Sequence, residues 1–393
     1  MKVLYTCLDP GVPVGSAKGA AIHVWEMIRA LGQEGHDTAL VARRVVAAPA
    51  TLSQISVIGS PPRGFRNAVV GPPMMRVDDY RVQRALTTAV KRFQPDLMYE
   101  RYALGQTAGA TVAARHGVPH VLEVNAPLAI ERATVTGQRP SPDAVALEQA
   151  TWRGAHLVVV PSHPLAEMVR AAGQDRVVVT PNAVDPDLFA PGVEPLLRQE
   201  LGLADRLVVG FVGTSRPWHD LGTLVAAMAL VPEDLRATLL VVGEAPPAEV
   251  LADATRRGVE VVVTGPVVHN RVPAYLATID VAVASLWSHP TMSYFSPLKA
   301  LEYLAAGCPA VVADVGDLRK LADKDVAVRY HAGDPASLAS AVTSVATDSK
   351  LRERLRVAGR EYAASWSWRS VAATMIAAAT NTIDLRDRAT AKP

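Results

Sequence analysis

Two side chains suited to binding a nucleotide lie three positions apart in the second half of the chain. Lys299 and Glu302 fall within residues 296–312, where the sequence indicates a loop, a short helix, a Gly-x-Pro turn and a buried strand. Residues three apart lie on one face of a helix. There a cation can hold a phosphate while a carboxylate accepts hydrogen bonds from sugar hydroxyls. This stretch therefore predicts a site for a nucleotide diphosphate and its ribose.

A second cation is expected at the same kind of position. Arg216 stands in residues 210–219, which begin as a strand and continue through a glycine turn. Arg216 and Lys299 are each predicted just beyond the carboxyl end of a strand, where open α/β sheets bind their ligands. Positive groups at a departing diphosphate lower the barrier to its release. Arg216 and Lys299 are therefore the predicted catalytic residues, and the alternative is a pair of unrelated surface cations.

The elements that must position these residues follow from the hydrophobic pattern. Short apolar runs alternate with helical segments, which predicts parallel sheets with crossover helices. The chain has 393 residues, more than one hydrophobic core usually spans, so we expect two domains. The predicted strands are Val3–Leu8, Thr38–Val41, Asp96–Tyr99, His120–Val124, His156–Val160, Val177–Val179, Leu207–Val212, Thr238–Val242, Val259–Val263, Val281–Ala284, Ala310–Ala313 and Val326–Arg329. Residues 45–75, which hold several prolines and glycines, are predicted to be a mobile excursion outside the predicted strands.

The alternation breaks once, after residue 185. Three prolines and no clear strand follow before it restarts, so residues 186–205 are predicted to be a linker. We therefore assign residues 1–185 to a first domain and 206–369 to a second, with a terminal helix over 370–393. Two doubly wound units that face one another form a cleft whose two sides can hold two different substrates.

The two passages that carry Arg216 and Lys299 resemble a known family. Residues 210–219 and 296–312 together are similar to the donor half of retaining glycosyltransferases of family 4, which have the GT-B fold of two doubly wound Rossmann-like domains facing a central cleft. Pro-Trp-His at 217–219 and Ser-Pro-x-Lys-x-x-Glu-Tyr at 296–303 resemble one subset of that family. The resemblance implies that the first domain binds the acceptor, that the second binds the nucleotide sugar, and that the terminal helix packs back on the first domain.

The resemblance also implies a set of donor-binding residues. Glu302 matches the second glutamate of the family motif of two glutamates separated by seven residues, and we expect it to bind the ribose rather than to be a solvated helix residue. Tyr294 stands where the first glutamate would fall. Backbone groups after a predicted strand would meet the nucleobase. The donor-binding candidates are Glu302, Gly15, Ser296, Pro297, Leu298, Tyr294, Gly265 and Val267. His269, just beyond, is expected to face solvent.

The first strand-to-helix connection is a candidate anion contact. Residues 11–19 contain three glycines, which let the backbone approach an anion beside the free N–H groups of a helix N-terminus. The spacing is not that of the dinucleotide fingerprint, and an ordinary flexible turn is the alternative. In the resembling family the first loop reaches the donor diphosphate, which is why Gly15 is included.

Acceptor contacts are expected in the first domain. The candidates are Lys18, His23, Glu100, Glu123 and Asn125, of which the last three lie at the ends of predicted strands. Many relatives carry histidine at the position of Asn125, and an asparagine can donate a hydrogen bond but cannot act as a base near neutral pH. A purely structural hydrogen bond is the alternative for each of these residues.

Composition and motifs give no indication of a nucleic-acid-binding or metal-dependent protein. A net charge of +2 and an aromatic content of 5% give no reason to expect a nucleic-acid partner. The sequence has no Cys/His cluster, and Asp185-Pro-Asp187 lies in the predicted linker, so we expect no cofactor and no metal requirement. The nucleotide-diphosphate sugar would be a co-substrate.

Location and assembly are less sharply indicated. Two cysteines, no signal peptide and no apolar run of membrane-spanning length favour a cytoplasmic protein, and the richness in Ala, Val and Arg favours a bacterial source. Arg81, Arg84, Lys91 and Arg92 on one predicted helix leave peripheral membrane association open, although such a run is usually a solvated surface. The sequence does not indicate an oligomeric state.

The predicted function is transfer of a sugar, with retention, from a nucleotide-diphosphate donor to an acceptor hydroxyl. A UDP-sugar is the favoured donor, and a soluble small molecule such as a secondary metabolite is the favoured acceptor. One alternative is a non-hydrolysing nucleotide-sugar 2-epimerase, against which the Ser-Pro-x-Lys-x-x-Glu turn speaks. The other is a non-catalytic nucleotide-sugar-binding protein, which Tyr294 and Asn125 favour.

Overall fold

The chain divides into two compact units. The computed structural model describes all residues except 17, 60–71, 191, 193–194, 289–293, 295, 297 and 391–393, and it describes no side chains for 72–77, 195 and 383–390. The first unit comprises Met1–Pro181 with Trp368–Pro393, and the second comprises Asn182–Ser367. Residues 186–205, expected to be a linker, therefore lie within the second unit by their contacts.

The first unit is built on a parallel sheet. Among the described residues it has seven strands in the order β3-β2-β1-β4-β5-β6-β7, and every pairing between them is parallel. The strands are β1 (Lys2–Cys7), β2 (Asp37–Ala42), β3 (Leu52–Val57), β4 (Leu97–Arg101), β5 (His120–Glu123), β6 (Leu157–Val160) and β7 (Val177–Val179). The central strands β5 and β6 are buried along their whole length, as expected where helices cover both faces of a sheet.

Helices connect most successive strands of this sheet, although β3 follows β2 without one. They are α1 (Gly19–Gln33), α2 (Pro72–Phe93), α3 (Ala108–His116), α4 (Leu128–Val135), α5 (Pro142–Gly154) and α6 (His163–Ala171). The strand order reverses direction between β1 and β4, which lie side by side. Loops that leave the carboxyl ends of strands at such a reversal point form a crevice, and this is where open α/β sheets bind ligands.

The strand β3 corrects the expectation for residues 45–75. Residues 52–57 pair in parallel with β2 at the edge of the sheet instead of forming an excursion outside the strands. The edge position explains why the pattern was weak, because Ile55 and Val57 are 47% and 58% exposed and show no buried face. Residues 60–71 of the same stretch lie outside the described residues.

The second unit repeats the architecture. Within its described residues a six-stranded sheet has the order β10-β9-β8-β11-β12-β13, again with parallel pairings. The strands are β8 (Leu207–Gly213), β9 (Ala237–Gly243), β10 (Val261–Val263), β11 (Val281–Ala284), β12 (Ala310–Ala313) and β13 (Val328–Tyr330). The predicted bounds of β11 and β12 are confirmed. The reversal point lies between β8 and β11. Arg216 lies in the loop that follows β8, and Lys299 lies at the start of the helix that follows β11.

The helices of the second unit cover both faces of its sheet. They are α7 (Pro195–Glu200), α8 (Leu221–Met228), α9 (Ala248–Arg256), α10 (Val272–Leu276), α11 (Leu298–Ala305), α12 (Arg319–Asp323), α13 (Pro335–Thr347) and α14 (Ser349–Ala364). Short 3₁₀ turns at Pro217–His219 and His269–Arg271 lead into α8 and α10. The prediction of two doubly wound parallel-sheet domains is confirmed.

The final helix, α15 (Trp368–Thr390), packs against α1 in the first unit. The ring of Trp368 meets the ring of His23 edge-on, with 4.8 Å between ring centroids. The guanidinium of Arg369 donates from Nε to Oε1 of Glu34 over 2.7 Å. The terminal helix therefore holds α1, and with it the position of His23.

Candidate active site

The ammonium group of Lys299 lies near the point where the strand order of the second sheet reverses. Lys299 lies in the first turn of α11, and its Nζ atom stands 4.1 Å from the centre of the Phe211 ring on β8. That nitrogen is buried and makes no hydrogen bond to any described residue. Burial lowers the pKa of Lys299 to about 7, although Glu302 raises it. A buried cation without a hydrogen-bonding partner is costly, and a bound anion would remove that cost.

Two glycines create the space beside this ammonium group. Gly213 and Gly243 end β8 and β9 with φ of 135° and 137°, a backbone conformation that favours glycine. A Cβ atom on Gly213 would lie 3.3 Å from Nζ of Lys299, and one on Gly243 would lie 2.1 Å from the carbonyl oxygen of Gly213. A side chain at position 213 would therefore fill the space beside Nζ of Lys299, and one at position 243 would collide with the backbone of Gly213.

The loop after β8 places a neutral histidine beside the two cations. Nδ1 of His219 lies 2.6 Å from the carbonyl oxygen of Thr214, so Nδ1 carries the proton and donates. Burial, then Lys299 and Arg216, lower the pKa of His219 to about 2, against the opposing effect of the bond to Thr214. His219 is therefore uncharged at neutral pH. Lys299 and Arg216 both lie near enough to this ring to lower its pKa.

Arg216 itself is exposed. Its backbone N–H donates to the carbonyl of Thr214 over 3.0 Å, which fixes the turn. The loop after β11 is joined to this turn, since the N–H of Trp287 donates to the carbonyl of Trp218 over 2.9 Å. The loop that carries Arg216 is thus linked through the backbone to the loop that leads from β11 towards the helix of Lys299.

Glu302 is held by a histidine that the sequence did not single out. Nε2 of His269 lies 2.8 Å from Oε1 of Glu302, whose side chain is only 8% exposed. The expectation that His269 faces solvent is wrong: its side chain is 20% exposed, and its ring packs on Phe189 with 5.3 Å between centroids. The only sequence feature that could have indicated a role for His269 was its position just after the loop predicted to meet the nucleobase.

The other donor-binding candidates are placed by turns around α11 and β10. Ser296 anchors the turn before α11, because its Oγ accepts from the N–H of Asn182 over 3.3 Å. Tyr294 is buried at 1% exposure, and Leu298 begins the helix, half-buried. Gly265 has a φ of 72° and bridges to Gly243, and the half-buried Val267 packs on the core. Pro297 lies outside the described residues.

In the first unit, a buried carboxylate collects polar groups from several elements. Oε1 of Glu123 accepts from Nδ2 of Asn125 over 2.8 Å and from Nη1 of Arg101 over 3.4 Å, and it contacts Nε2 of His23. Oε2 accepts from the hydroxyl of Tyr5 over 3.1 Å. Burial alone would raise the pKa of Glu123, but His23, Arg101 and Asn125 lower it to about 2. Glu123 is therefore ionised at neutral pH.

This network decides what Asn125 offers to a ligand. Because Nδ2 of Asn125 donates to the carboxylate of Glu123, the amide is oriented with Oδ1 away from that carboxylate. Asn125 is half-buried, whereas Glu123 is only 2% exposed. Of these two residues Asn125 is the one that can meet an acceptor, and it presents a hydrogen-bond acceptor atom.

Glu100 is separated from this group. Adjacent residues of a strand point to opposite faces, so Glu100 lies on the face opposite Arg101. Its Oε2 is 2.8 Å from Nε2 of His120, and a Cβ atom on Gly109 of α3 would lie 1.6 Å from the same oxygen. The structure therefore places Glu100 against α3, away from His23, Glu123 and Asn125.

The glycine-rich loop after β1 is shaped by its own contacts. Gly15 has a φ of 82°, and a Cβ atom there would lie 2.3 Å from the carbonyl oxygen of Ala47. Lys18 is exposed and donates from Nζ to the carbonyl of Gly11 over 3.2 Å. The close packing on Ala47 is enough to require glycine at position 15.

The described part of the chain has neither a metal-binding cluster nor a membrane-spanning helix. No group of three or more His, Cys, Asp or Glu side chains there could hold a metal ion. Asp185 caps the turn that follows it, since its Oδ1 accepts from the N–H groups of Asp187 and Leu188 over 3.1 and 3.2 Å. No helix among the described residues is both long enough and apolar enough to cross a membrane.

Known proteins resemble both units. Residues 17–188 match the model of Glycosyltransferase Family 4, and residues 206–348 match that of Glycosyl transferases group 1. D-inositol 3-phosphate glycosyltransferase of Segniliparus rotundus is 31% identical over 343 residues, covering 80% of this chain and 74% of the relative. The enzyme of the same name from Jonesia denitrificans is 28% identical over 404 residues, covering 94% and 92%.

Solved structures share the fold. Sucrose-phosphate synthase of Thermosynechococcus elongatus superposes with a TM-score of 0.80 at 21% identity, covering 98% of this chain and all of that one. HepE of Anabaena, in complex with UDP and glucose, gives a TM-score of 0.75 at 19% identity, covering 97% and 100%. The chain therefore belongs to the glycosyltransferases of family 4 and group 1, which have the GT-B fold.

Proposed function

We propose that this glycosyltransferase moves a sugar, with retention of its anomeric configuration, from a nucleotide-diphosphate donor to a hydroxyl of a small soluble acceptor. The observation that carries the proposal is the buried ammonium group of Lys299, which has no hydrogen-bonding partner in the described part of the chain. It lies where the loops after β8 and β11 meet, beside the space kept open by Gly213. A donor diphosphate supplies the anion that this cation lacks.

In the proposed reaction, the bond between the sugar's anomeric carbon and the diphosphate oxygen breaks while a bond to the acceptor oxygen forms on the same face. Negative charge grows on the diphosphate, and Lys299 and Arg216 stabilise it. The acceptor hydroxyl gives its proton to a diphosphate oxygen, so no separate protein base is required. His219 stays neutral and adds no charge of its own.

The donor is proposed to be a UDP-sugar. Glu302 is held at Oε1 by His269, which leaves Oε2 to accept hydrogen bonds from ribose hydroxyls. The backbone beside Gly265 is proposed to meet the base. HepE, which shares the fold, has been crystallised with UDP and with UDP-glucose.

The acceptor is proposed to approach Asn125 in the first unit. Oδ1 of Asn125 would accept a hydrogen bond from an acceptor hydroxyl. The relatives are named for D-inositol 3-phosphate, so this compound is the first acceptor to test. Hydroxylated secondary metabolites, including aminocyclitols, are the wider class that we propose.

A binding panel tests the donor assignment. Thermal unfolding is followed with UDP, GDP, ADP and dTDP, because a ligand that binds the native state raises its stability. We expect UDP to raise the unfolding temperature most, and Lys299→Met to remove most of that rise. Lys320→Met is the matched control, since Lys320 pairs with Asp317 and lies outside the proposed site. If no nucleotide stabilises the protein, the proposed donor is wrong.

A further inference from the structure

Glu302 could pair with either Lys299 or His269, and the two pairings would affect ligand binding in opposite ways. Lys299 stands one turn earlier on α11, at the spacing that normally allows an ion pair. The carboxylate is instead bonded at Oε1 to Nε2 of His269 over 2.8 Å, while Nζ of Lys299 is left without a hydrogen bond among the described residues. His269 therefore binds the carboxylate that would otherwise pair with Lys299.

The position of His269 is fixed by its backbone turn and by the packing of its ring. His269 opens the 3₁₀ turn His269–Arg271, and the N–H of Arg271 donates to the carbonyl of Val268 over 2.9 Å. Its ring packs against Phe189, which is 1% exposed and part of the core of the second unit. A ring fixed on a buried aromatic residue presents its nitrogen in a defined direction, so the bond to Glu302 also fixes the carboxylate.

We propose that His269 is a positioning residue that holds Glu302 apart from Lys299, which reserves the carboxylate for the ribose and the ammonium group for the diphosphate. The inference rests on the proposed function, because it takes the nucleotide diphosphate as the ligand. Without the histidine, Glu302 would turn to Lys299, and the pair would neutralise each other. Replacing His269 would then weaken two ligand contacts, that of Glu302 with the ribose and that of Lys299 with the diphosphate, although His269 itself makes neither.

Two variants of the histidine separate its hydrogen bond from its packing. His269→Phe keeps an aromatic ring against Phe189 and removes the donor to Glu302. His269→Gln loses the ring and keeps an amide N–H that can reach the carboxylate. Affinities for UDP and for 2′-deoxy-UDP are measured by calorimetry, together with those of the wild type and Glu302→Gln.

The ratio of the two affinities reports the ribose contact. A hydrogen bond to a charged group corresponds to a preference on the order of tenfold or more, which we expect in the wild type. We expect H269F and E302Q to lose this preference and H269Q to retain most of it. We also expect H269F to bind UDP more weakly than E302Q does, because only in H269F is Glu302 still charged and able to neutralise Lys299.

The remaining outcomes would contradict either the proposed donor or the role proposed for His269. A wild type that binds no nucleoside diphosphate overturns the proposed donor and this inference with it. A wild type that binds UDP without a preference for ribose overturns the inference alone. So does an H269F variant that keeps both the preference and the affinity, or an H269Q variant as defective as H269F. Circular dichroism and thermal unfolding of each variant show whether a loss reflects misfolding.

Discussion

At the scale of single residues, the chemistry depends on how each charged group is partnered. Lys299 carries a buried cationic nitrogen with no hydrogen bond to the described residues, Glu302 is bonded by His269, and His219 is kept neutral. Their burial strengthens every electrostatic interaction with a ligand, because the surroundings screen charge less than water does. Single substitutions here should therefore change binding and rate more than stability.

Removing either cation should slow the chemical step. Lys299→Met and Arg216→Met keep much of the side-chain volume and remove the charge that stabilises the departing diphosphate. We expect each to lower kcat by roughly a hundredfold or more, as losing one preorganised donor does, with a smaller rise in the donor KM. Steady-state kinetics with a UDP-sugar measure both. The double variant should be less than additive if the two cations grip one diphosphate, and near-normal kcat in both single variants would exclude the clamp.

The pKa of Lys299 predicts proton uptake on binding. With a pKa of about 7, the lysine of the empty site is mostly neutral at pH 8. A diphosphate favours the charged form and raises this pKa, so binding at pH 8 should draw one proton from the buffer, and affinity should fall as pH rises above 7. Calorimetry in buffers of different ionisation enthalpy counts the protons. Uptake that persists unchanged in Lys299→Met would assign it to another group.

At the scale of elements, buried polar networks join strands that are distant in sequence. Glu123 at the end of β5 is bonded to Tyr5 of β1, Arg101 of β4 and His23 of α1. The terminal helix α15 adds the ring contact between Trp368 and His23. These bonds fix the ends of three neighbouring strands, and so they set the position of the loop that carries Asn125.

Neutralising Glu123 should destabilise the first unit. Glu123→Gln leaves Arg101 without its buried counter-charge and removes the carboxylate that His23 contacts. Breaking a buried ion pair typically costs about 3–5 kcal/mol of unfolding free energy. The pKa of Glu123 is lowered to about 2, so its contribution is present above the ordinary carboxylate pKa and is lost as pH falls towards 2. Denaturant unfolding at pH 7 measures the loss. Glu353→Gln, at an exposed helix pair, is the control and should leave the stability unchanged.

At the scale of the whole molecule, the two units have the same topology and differ in the charges at their strand ends. The second unit presents Lys299 and Arg216, whereas the charges near Asn125 in the first unit are paired around Glu123. In the proposed function, the diphosphate would bind to the cations of the second unit and the hydroxylated acceptor would bind to the first. The predictions at this scale concern the complete reaction.

Chelation should not abolish transfer. In the proposed reaction the two cations would supply the positive charge that a metal ion would otherwise bring to the diphosphate. We expect the rate with a UDP-sugar and an active acceptor to be unchanged after treatment with EDTA. Complete loss of activity that magnesium or manganese restores would contradict this expectation.

The product should keep the anomeric configuration of the donor. In the proposed reaction the acceptor attacks from the face that the diphosphate leaves, and the diphosphate itself takes the proton. The coupling constant of the anomeric proton, read by NMR from the new linkage before any rearrangement, distinguishes the two configurations. An inverted product would exclude the mechanism, although it would leave the donor site unaffected.

The local pattern of the sequence determined the class of fold and the passages that carry charge. The bounds of β11 and β12 could be predicted because each is a short apolar run, and Lys299 and Glu302 could be placed on one helix from their spacing. The edge strand β3 was missed, because an exposed strand has no buried face to produce a pattern.

Only the tertiary structure decided which groups meet. His269 and Glu302 are 33 residues apart, and Tyr5 and Glu123 are 118 apart, so no local pattern could relate them. The same holds for Glu100, whose separation from Glu123 follows from the strand face on which it lies and from its bond to His120. Hydrophobic periodicity acts over a few residues and specifies elements, whereas the partner of each buried polar group depends on how those elements pack.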